Sequence, residues 1–277
     1  MHFNLSVWFE HLFFNGGRVD FEKEGAEPKT CVTVIGSGGK TSLIWHLAKT
    51  LLISPGKVPE RCRRILVTPT AKMLAPPSGE KLYDRYADRN NYRGRDGTDF
   101  FYRGLKNPVR GITLAGSFNK VNSKLETLPP EELEAIAPFY DLVLMEGDGS
   151  RGLPLKAWAD YEPVVPDFTD VTIGMLATWP LGMPVSEKHI HRLPQFLALT
   201  GMAEGEKLKM EHMAKIITGL FAKACGKKIL FFNQAESEDS LIIARELTER
   251  LPEQFRSSLS GIIAGSVRED KIIEFIS

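Results

Sequence analysis

The residues Val34, Ile35, Gly36, Ser37, Gly38, Gly39, Lys40 and Thr41 set a glycine-rich turn and a lysine-threonine pair between two patterned segments. Upstream, Thr30 to Ile35 is apolar and β-branched, as a buried strand is; downstream, Leu43, Ile44, Leu47, Ala48 and Leu51 fall at helical spacing. A loop in that context has the chemistry of phosphate binding. Its backbone N–H groups point around an anion, and glycine is needed where a side chain would block the anion or where the dihedrals are unusual. Lys40, in the first helical turn, is expected to reach the terminal phosphates and Thr41 to ligate magnesium, while the helix N-terminus adds partial positive charge. Gly36, Ser37, Gly38, Gly39, Lys40, Thr41 and Ser42 are therefore the expected nucleotide-binding set, with ATP or GTP and Mg2+ as ligands.

The spacing departs from the common phosphate loop, which wants glycine where this chain has Val34. The segment from Gly36 to Thr41 resembles instead the six-residue loop of Mur-type ligases, and Ile35 stands where a MinD-like loop has an extra lysine. The bland alternative is a glycine turn followed by an incidental Lys-Thr pair.

Asp141-Leu142-Val143-Leu144-Met145-Glu146-Gly147-Asp148-Gly149 reads as a buried strand that breaks off into two acids flanked by glycines. Glu146 at the strand end is placed to hold the metal, and Asp148 to orient water or substrate, unless the segment is an ordinary Asp-Gly turn. Thr68-Pro69-Thr70 ends another strand in hydroxyls, suited either to magnesium or γ-phosphate contact, with Thr68 as the metal candidate, or to a plain turn. Arg151 and Lys156 follow the acids and either neutralise charge on a phosphate or an anionic second substrate, or form a surface pair. The expected catalytic set is Asp148, Lys156 and Arg151, and the expected metal set Thr41, Glu146 and Thr68. His189 and His191 lie two residues apart with no third ligand nearby, which favours packing, or phosphate contact through His191 and Arg192, over a metal site. Asn233-Gln234-Ala235-Glu236, after an apolar run, resembles the N-K-x-D element that grips guanine, with Gln234 in place of the stacking lysine and Glu236 in place of aspartate. Asn233 and Glu236 are the expected base contacts, or Asn233 a bridge to the phosphate loop. The substitutions argue for poor discrimination between the two purines.

These residues must be held by alternating strands and helices. Besides the loop's strand, apolar runs at Arg64 to Thr68, Ile112 to Ala115, Leu142 to Met145, Val171 to Met175, Ile229 to Phe232 and Ile262 to Ala264 read as strands, with helical patterns between several of them. That alternation predicts a three-layer α/β/α fold of P-loop NTPase type with a mainly parallel sheet and ligands at the strand carboxyl ends. Residues 4 to 14 read as a short amphipathic helix ended by Asn15-Gly16-Gly17. One domain is expected, with an inserted segment from Lys72 to Arg110 that carries nine Lys or Arg against five Asp or Glu and six tyrosines and phenylalanines. It is either a lid or surface for an anionic partner, or a solvated excursion.

Composition sets the outer limits. The 277 residues carry thirty-five basic and thirty-five acidic side chains, so nothing global favours nucleic acid or an anionic membrane as partner. Cys31, Cys62 and Cys225 are odd in number and form no C-x-x-C pair, which points to a reducing, cytoplasmic setting and away from zinc. No apolar run approaches the roughly 20 residues of a membrane span, and Met1 to Phe14 lacks a basic leader.

Taken together, the loop from Gly36 to Thr41, Thr68-Pro69-Thr70, the segment from Glu146 to Lys156, Glu162-Pro163-Val164-Val165-Pro166, His191-Arg192 and Asn233 to Glu236 resemble the YqeC family of selenium-dependent hydroxylase accessory proteins. The resemblance runs to about residue 265, and the acidic segment is its most specific part. Thr-Pro-Thr in place of three threonines, the altered Asn233 element and the basic aromatic insertion are departures. The resemblance implies a cytoplasmic P-loop protein that assists maturation of selenium-dependent molybdenum hydroxylases, acting on the selenium or molybdenum cofactor or with the maturation proteins. Two activities fit: a magnesium-dependent nucleotidase that couples hydrolysis or phosphoryl activation to cofactor processing, or a nucleotide-dependent chaperone or switch that changes partners with little turnover.

Overall fold

The computed structural model describes residues 3–15, 30–53, 63–76, 82–92 and 94–276. In chain order the strands are β1 (Phe3–Asn4), β2 (Thr30–Gly36), β3 (Arg64–Pro69), β4 (Lys72–Leu74), β5 (Arg85–Asp88), β6 (Gly111–Asn119), β7 (Lys124–Glu126), β8 (Leu142–Glu146), β9 (Leu155–Lys156), β10 (Val171–Ala177), β11 (Ile190–His191), β12 (Lys227–Asn233), β13 (Gly261–Ser266) and β14 (Lys271–Phe275). The α-helices are α1 (Leu5–Glu10), α2 (Lys40–Ile53), α3 (Gly94–Leu105), α4 (Pro130–Ile136), α5 (Leu193–Thr200), α6 (Met210–Leu220), α7 (Glu238–Glu249) and α8 (Glu253–Ser257).

Twelve strands form one mixed sheet in the order β1-β14-β13-β12-β10-β2-β8-β3-β6-β7-β4, with β5 also paired to β6. The run from β13 through β6 to β5 is parallel, and the antiparallel pairs lie at its two ends. Each strand expected from an apolar run is present. β9 and β11 make a separate two-stranded ribbon.

Alternation along the strands sorts side chains onto two faces. Val32, Val34, Ile65, Val67, Leu142, Leu144, Ile173, Phe231 and Ile263 pack on one face with Leu43, Leu47 and Leu51 of α2 and with Leu5 and Phe9 of α1. On the other face Ile35, Leu230, Phe232 and Ile262 meet α5, α6 and α7, while Leu66, Val143 and Met145 meet α3 and α4. The fold is thus α/β in three layers. The N-terminal helix begins where the Asn4 side chain accepts from the Val7 amide at 2.9 Å, and α1 contacts α2 and β14. Gly16, Gly17 and Cys62 lie outside the described residues.

The segment from Lys72 to Arg110 contributes β4, β5 and α3 to this framework. Its aromatic side chains are largely enclosed, against the expectation of exposed rings. Phe101 is buried, Tyr83 and Tyr86 pack against the α2 face, and Tyr102 packs against the α3–α4 face, leaving Phe100 strongly exposed and Tyr92 exposed to a lesser degree. The segment lacks a clean period because β5 is short and half-buried, a pattern that hydrophobic alternation marks weakly.

Phe231 is fully buried at the centre of the α2 face. Phe231→Ala should lower unfolding free energy by about 3–5 kcal/mol, read as a reduced urea midpoint at unchanged slope.

Candidate functional site

β2 delivers the glycine loop to the carboxyl edge of the sheet, and α2 starts where the Leu43 amide bonds the Gly39 carbonyl at 2.9 Å. Gly36, Gly38 and Gly39 have φ of +99°, +86° and +121°, a region that favours glycine. Space forbids side chains as well: a Cβ on Gly36 would lie 2.3 Å from the Met175 carbonyl oxygen, and one on Gly39 2.6 Å from Asn233 Nδ2. Such a loop and the free amides of a helix N-terminus make a concave set of donors, the form that a phosphate fits.

Lys40 is buried and folds back over the loop, its ammonium donating to the Gly36 carbonyl at 2.6 Å and lying 3.4 Å from Asp148 Oδ1. The Thr41 hydroxyl donates to Glu146 Oε2 at 2.7 Å, so the two expected metal ligands of loop and strand end are in contact. Burial pushes the Glu146 carboxyl above the usual carboxylate range, with Lys40 and the Thr41 hydroxyl pulling it back. Thr68 is placed otherwise. It shares its strand face with Leu66, towards α3 and α4, whereas Glu146 shares a face with Leu144, towards α2. The Thr68 hydroxyl is wholly buried without a hydrogen-bond partner, and it does not line the cleft at the loop. Thr70 is spent as well, donating to the Val164 carbonyl at 2.6 Å.

Asp148 and Lys156 also depart from expectation. Both are essentially without solvent access, and neither lines the cleft. Asp148 accepts from the Gly36 amide at 3.0 and 3.1 Å, from Trp158 Nε1 at 2.7 Å and from Lys156 Nζ at 2.9 Å. Lys156 also donates to the Gly149 carbonyl at 2.7 Å and lies 3.5 Å from Glu162, whose carboxylate takes a two-pronged bond from Arg192 at 2.8 Å on each side. Burial lowers the Lys156 ammonium, against the pull of Asp148 and Glu162. Burial would raise Glu162, but the Arg192 bonds and Lys156 outweigh it and hold the carboxyl below its usual range. The segment after β8 therefore folds inward as a charge network under the loop, with Lys156 of β9 and Arg192, which follows β11, supplying its cations. The sequence named the Glu162 and His191-Arg192 motifs without pairing them; the complementary charges of Glu162 and Arg192 were the available signal.

Arg151 does reach the cleft. It sits exposed at φ +54° in the turn between the acids and β9. The cleft, about 720 Å³, is lined by Gly38, Gly39, Lys40, Thr41, Ser42 and Glu146 and also by Lys72, Lys124 and Arg151. Among the described residues lining it, the cations exceed the single carboxylate, an arrangement suited to a polyanion. A second cleft of about 740 Å³ adjoins it at Gly39, Ser42 and Gln234. There the Asn233 amide is committed to the framework, donating to the Gly38 carbonyl at 2.7 Å and accepting from the Val267 amide at 3.0 Å. Asn233 is thus the bridge to the loop, while Glu236 lies exposed at this second cleft with one oxygen bonded to the Ser266 hydroxyl at 2.6 Å. Among the described residues no group of three or more His, Cys, Asp or Glu could hold a metal, so His189 and His191 do not form such a cluster. No described helix is long and apolar enough to cross a membrane.

Two outcomes test this layout. Asp148→Asn should destabilise the fold by about 3–5 kcal/mol, because it leaves Lys156 as a buried cation with a weakened partner, whereas Arg151→Ala should leave the urea midpoint unchanged. Burial, then Lys156, Arg192 and Arg151, push the His191 imidazole from 6.5 down to about 4, with Glu162 opposing. The unfolded chain therefore takes up a proton that the fold refuses, and this contribution to stability is full above pH 6.5 and lost as the pH falls towards 4. Relative to His191→Gln, the wild type should lose urea resistance between pH 7.5 and pH 5.

A family model described as YqeC protein matches residues 32–194, more than half of the chain. The matched part holds the glycine loop, the acidic strand end and His191-Arg192. The chain is also 28% identical over 258 residues to a protein of Escherichia coli (strain K12) described as uncharacterized protein YqeC, with 90% of this chain and 92% of that protein covered. The chain belongs to the YqeC family.

Proposed function

We propose that the chain binds a nucleoside triphosphate, ATP or GTP, with magnesium at the loop from Gly36 to Ser42, and uses it to assist maturation of selenium-dependent molybdenum hydroxylases. Family membership supports the accessory role at the level of the family. The observation that carries the nucleotide reading is the loop itself, with three glycines at positive φ, two of them without room for a side chain, at the head of a fourteen-residue helix. The donor set fits the magnesium: a threonine hydroxyl and a carboxylate in contact at the loop's edge are hard oxygen ligands.

Lys40 would exchange its bond to the Gly36 carbonyl for phosphate oxygens, remaining beside the Asp148 carboxylate that balances it. Thr41 and Glu146 would hold the ion, which when bound neutralises phosphate charge during phosphoryl transfer. Arg151, exposed on its turn and lining the same cleft, would meet the terminal phosphate. The partner would be the molybdenum or selenium cofactor, or a maturation protein that carries it.

A second reading, a nucleotide-dependent chaperone or switch that turns over little, is favoured by one observation. Glu146 is the only carboxylate among the described residues lining the cleft, and it is engaged by Thr41, while Asp148 is locked away from solvent. Single-turnover hydrolysis separates the two: a nucleotidase releases phosphate at a catalytic rate, a switch retains the triphosphate.

In calorimetric titration with magnesium, Lys40→Ala should weaken ATP and GTP binding at least a hundredfold, about 2.7 kcal/mol, in a protein that remains folded. Glu146→Gln should reduce the magnesium-dependent part of the affinity and spare the part that persists in a chelator. Unchanged affinity in a folded Lys40→Ala protein would remove the phosphate-loop reading.

A further inference from the structure

We propose that Trp179 is the platform on which the base of the bound nucleotide stacks. This rests on the nucleotide reading above and adds to it the residue that recognises the base. Trp179 follows β10, whose end lies against the loop: a Cβ on Gly38 would be 3.2 Å from the Ala177 amide nitrogen. The indole lines the same cleft as Gly38, Gly39, Lys40 and Thr41, and among the described residues it is the only aromatic one lining either of these two clefts.

The ring is 49% exposed yet fixed in direction. Its N–H donates to Gln234 Oε1 at 2.7 Å. Gln234 sits at φ +62° directly after Asn233, which is tied to the Gly38 carbonyl. The indole is thereby coupled through two adjacent residues to the phosphate loop, where an unconstrained surface tryptophan would have no such linkage. In the guanine-gripping pattern a lysine at the position of Gln234 covers the base; here Gln234 turns its amide to the indole, and the indole presents the flat face. A fixed, water-exposed ring face beside a phosphate site matches a nucleobase, since every base offers a π-face and stacking is tolerant of base identity.

The test is calorimetric titration of the full chain and of its Trp179→Ala and Trp179→Phe variants with MgATP, MgGTP and magnesium tripolyphosphate, which lacks a base. Trp179→Ala should weaken both nucleotides by at least about fivefold and leave tripolyphosphate unchanged. Trp179→Phe, which keeps a ring and loses the bond to Gln234, should retain most of the nucleotide affinity. Equal losses for nucleotide and tripolyphosphate, or no loss for either, would overturn the stacking role while the phosphate loop stands. A wild type that binds tripolyphosphate no more weakly than the nucleotides would do the same, and one that binds none of the three would remove the nucleotide reading together with this proposal.

Discussion

A buried carboxylate holds this site together. Asp148 has no solvent access and answers for its burial with donors on every side: the Gly36 amide, the Trp158 indole and the Lys156 ammonium, with Lys40 at 3.4 Å. An isolated buried carboxylate is costly, and pairing with hydrogen-bonded donors makes it tolerable. The same bonds fix where β2 turns into the loop, where the chain after β8 returns, and where β9 meets β11. The loop's shape, the position of Lys40 and the exposed turn that carries Arg151 all depend on that one anion being satisfied.

This arrangement separates support from contact. Asp148, Lys156, Glu162 and Arg192 form the network below the loop, and burial, helped by Lys156 and Arg192, holds the pKa of the His191 imidazole down. Lys40, Thr41, Glu146 and Arg151 face the cleft. On the proposed reading, a charge network beneath the loop would set its donors in advance, so that binding a phosphate would reorient a lysine rather than rebuild the loop. The commitment of Asn233 to Gly38 and Val267 serves the same end from the other side of the loop.

Much of this was legible in the sequence because its signals are local. Glycines before Lys40-Thr41 between a β-branched run and a helical pattern specify the loop, and unbroken apolar runs specify parallel strands. The Thr41–Glu146 contact followed from placing two strand ends at one sheet edge. What failed depended on side-chain direction and on chain reversal. Thr68 lies at the correct edge but alternation turns it to the α3 side. Asp148 and Lys156 read as substrate-facing or as turn and surface residues, since acids and glycines favour turns, whereas the Val164 amide bonds the Gly147 carbonyl as the later segment returns and both side chains are buried. Trp179 carried a signal that went unread, an aromatic two residues beyond a parallel strand at the ligand edge.

The central claim of the proposed reading is that the amides from Gly38 to Ser42 would receive a phosphate, with Lys40 turning to it from the Gly36 carbonyl that it now bonds. Amide hydrogen exchange across residues 38–42, measured with and without saturating MgATP, tests it most directly. The account predicts strong slowing of exchange in this segment on adding MgATP, with little change in β12 and β13, whose amides are already bonded within the sheet. Exchange in residues 38–42 that is unaffected by MgATP would contradict it.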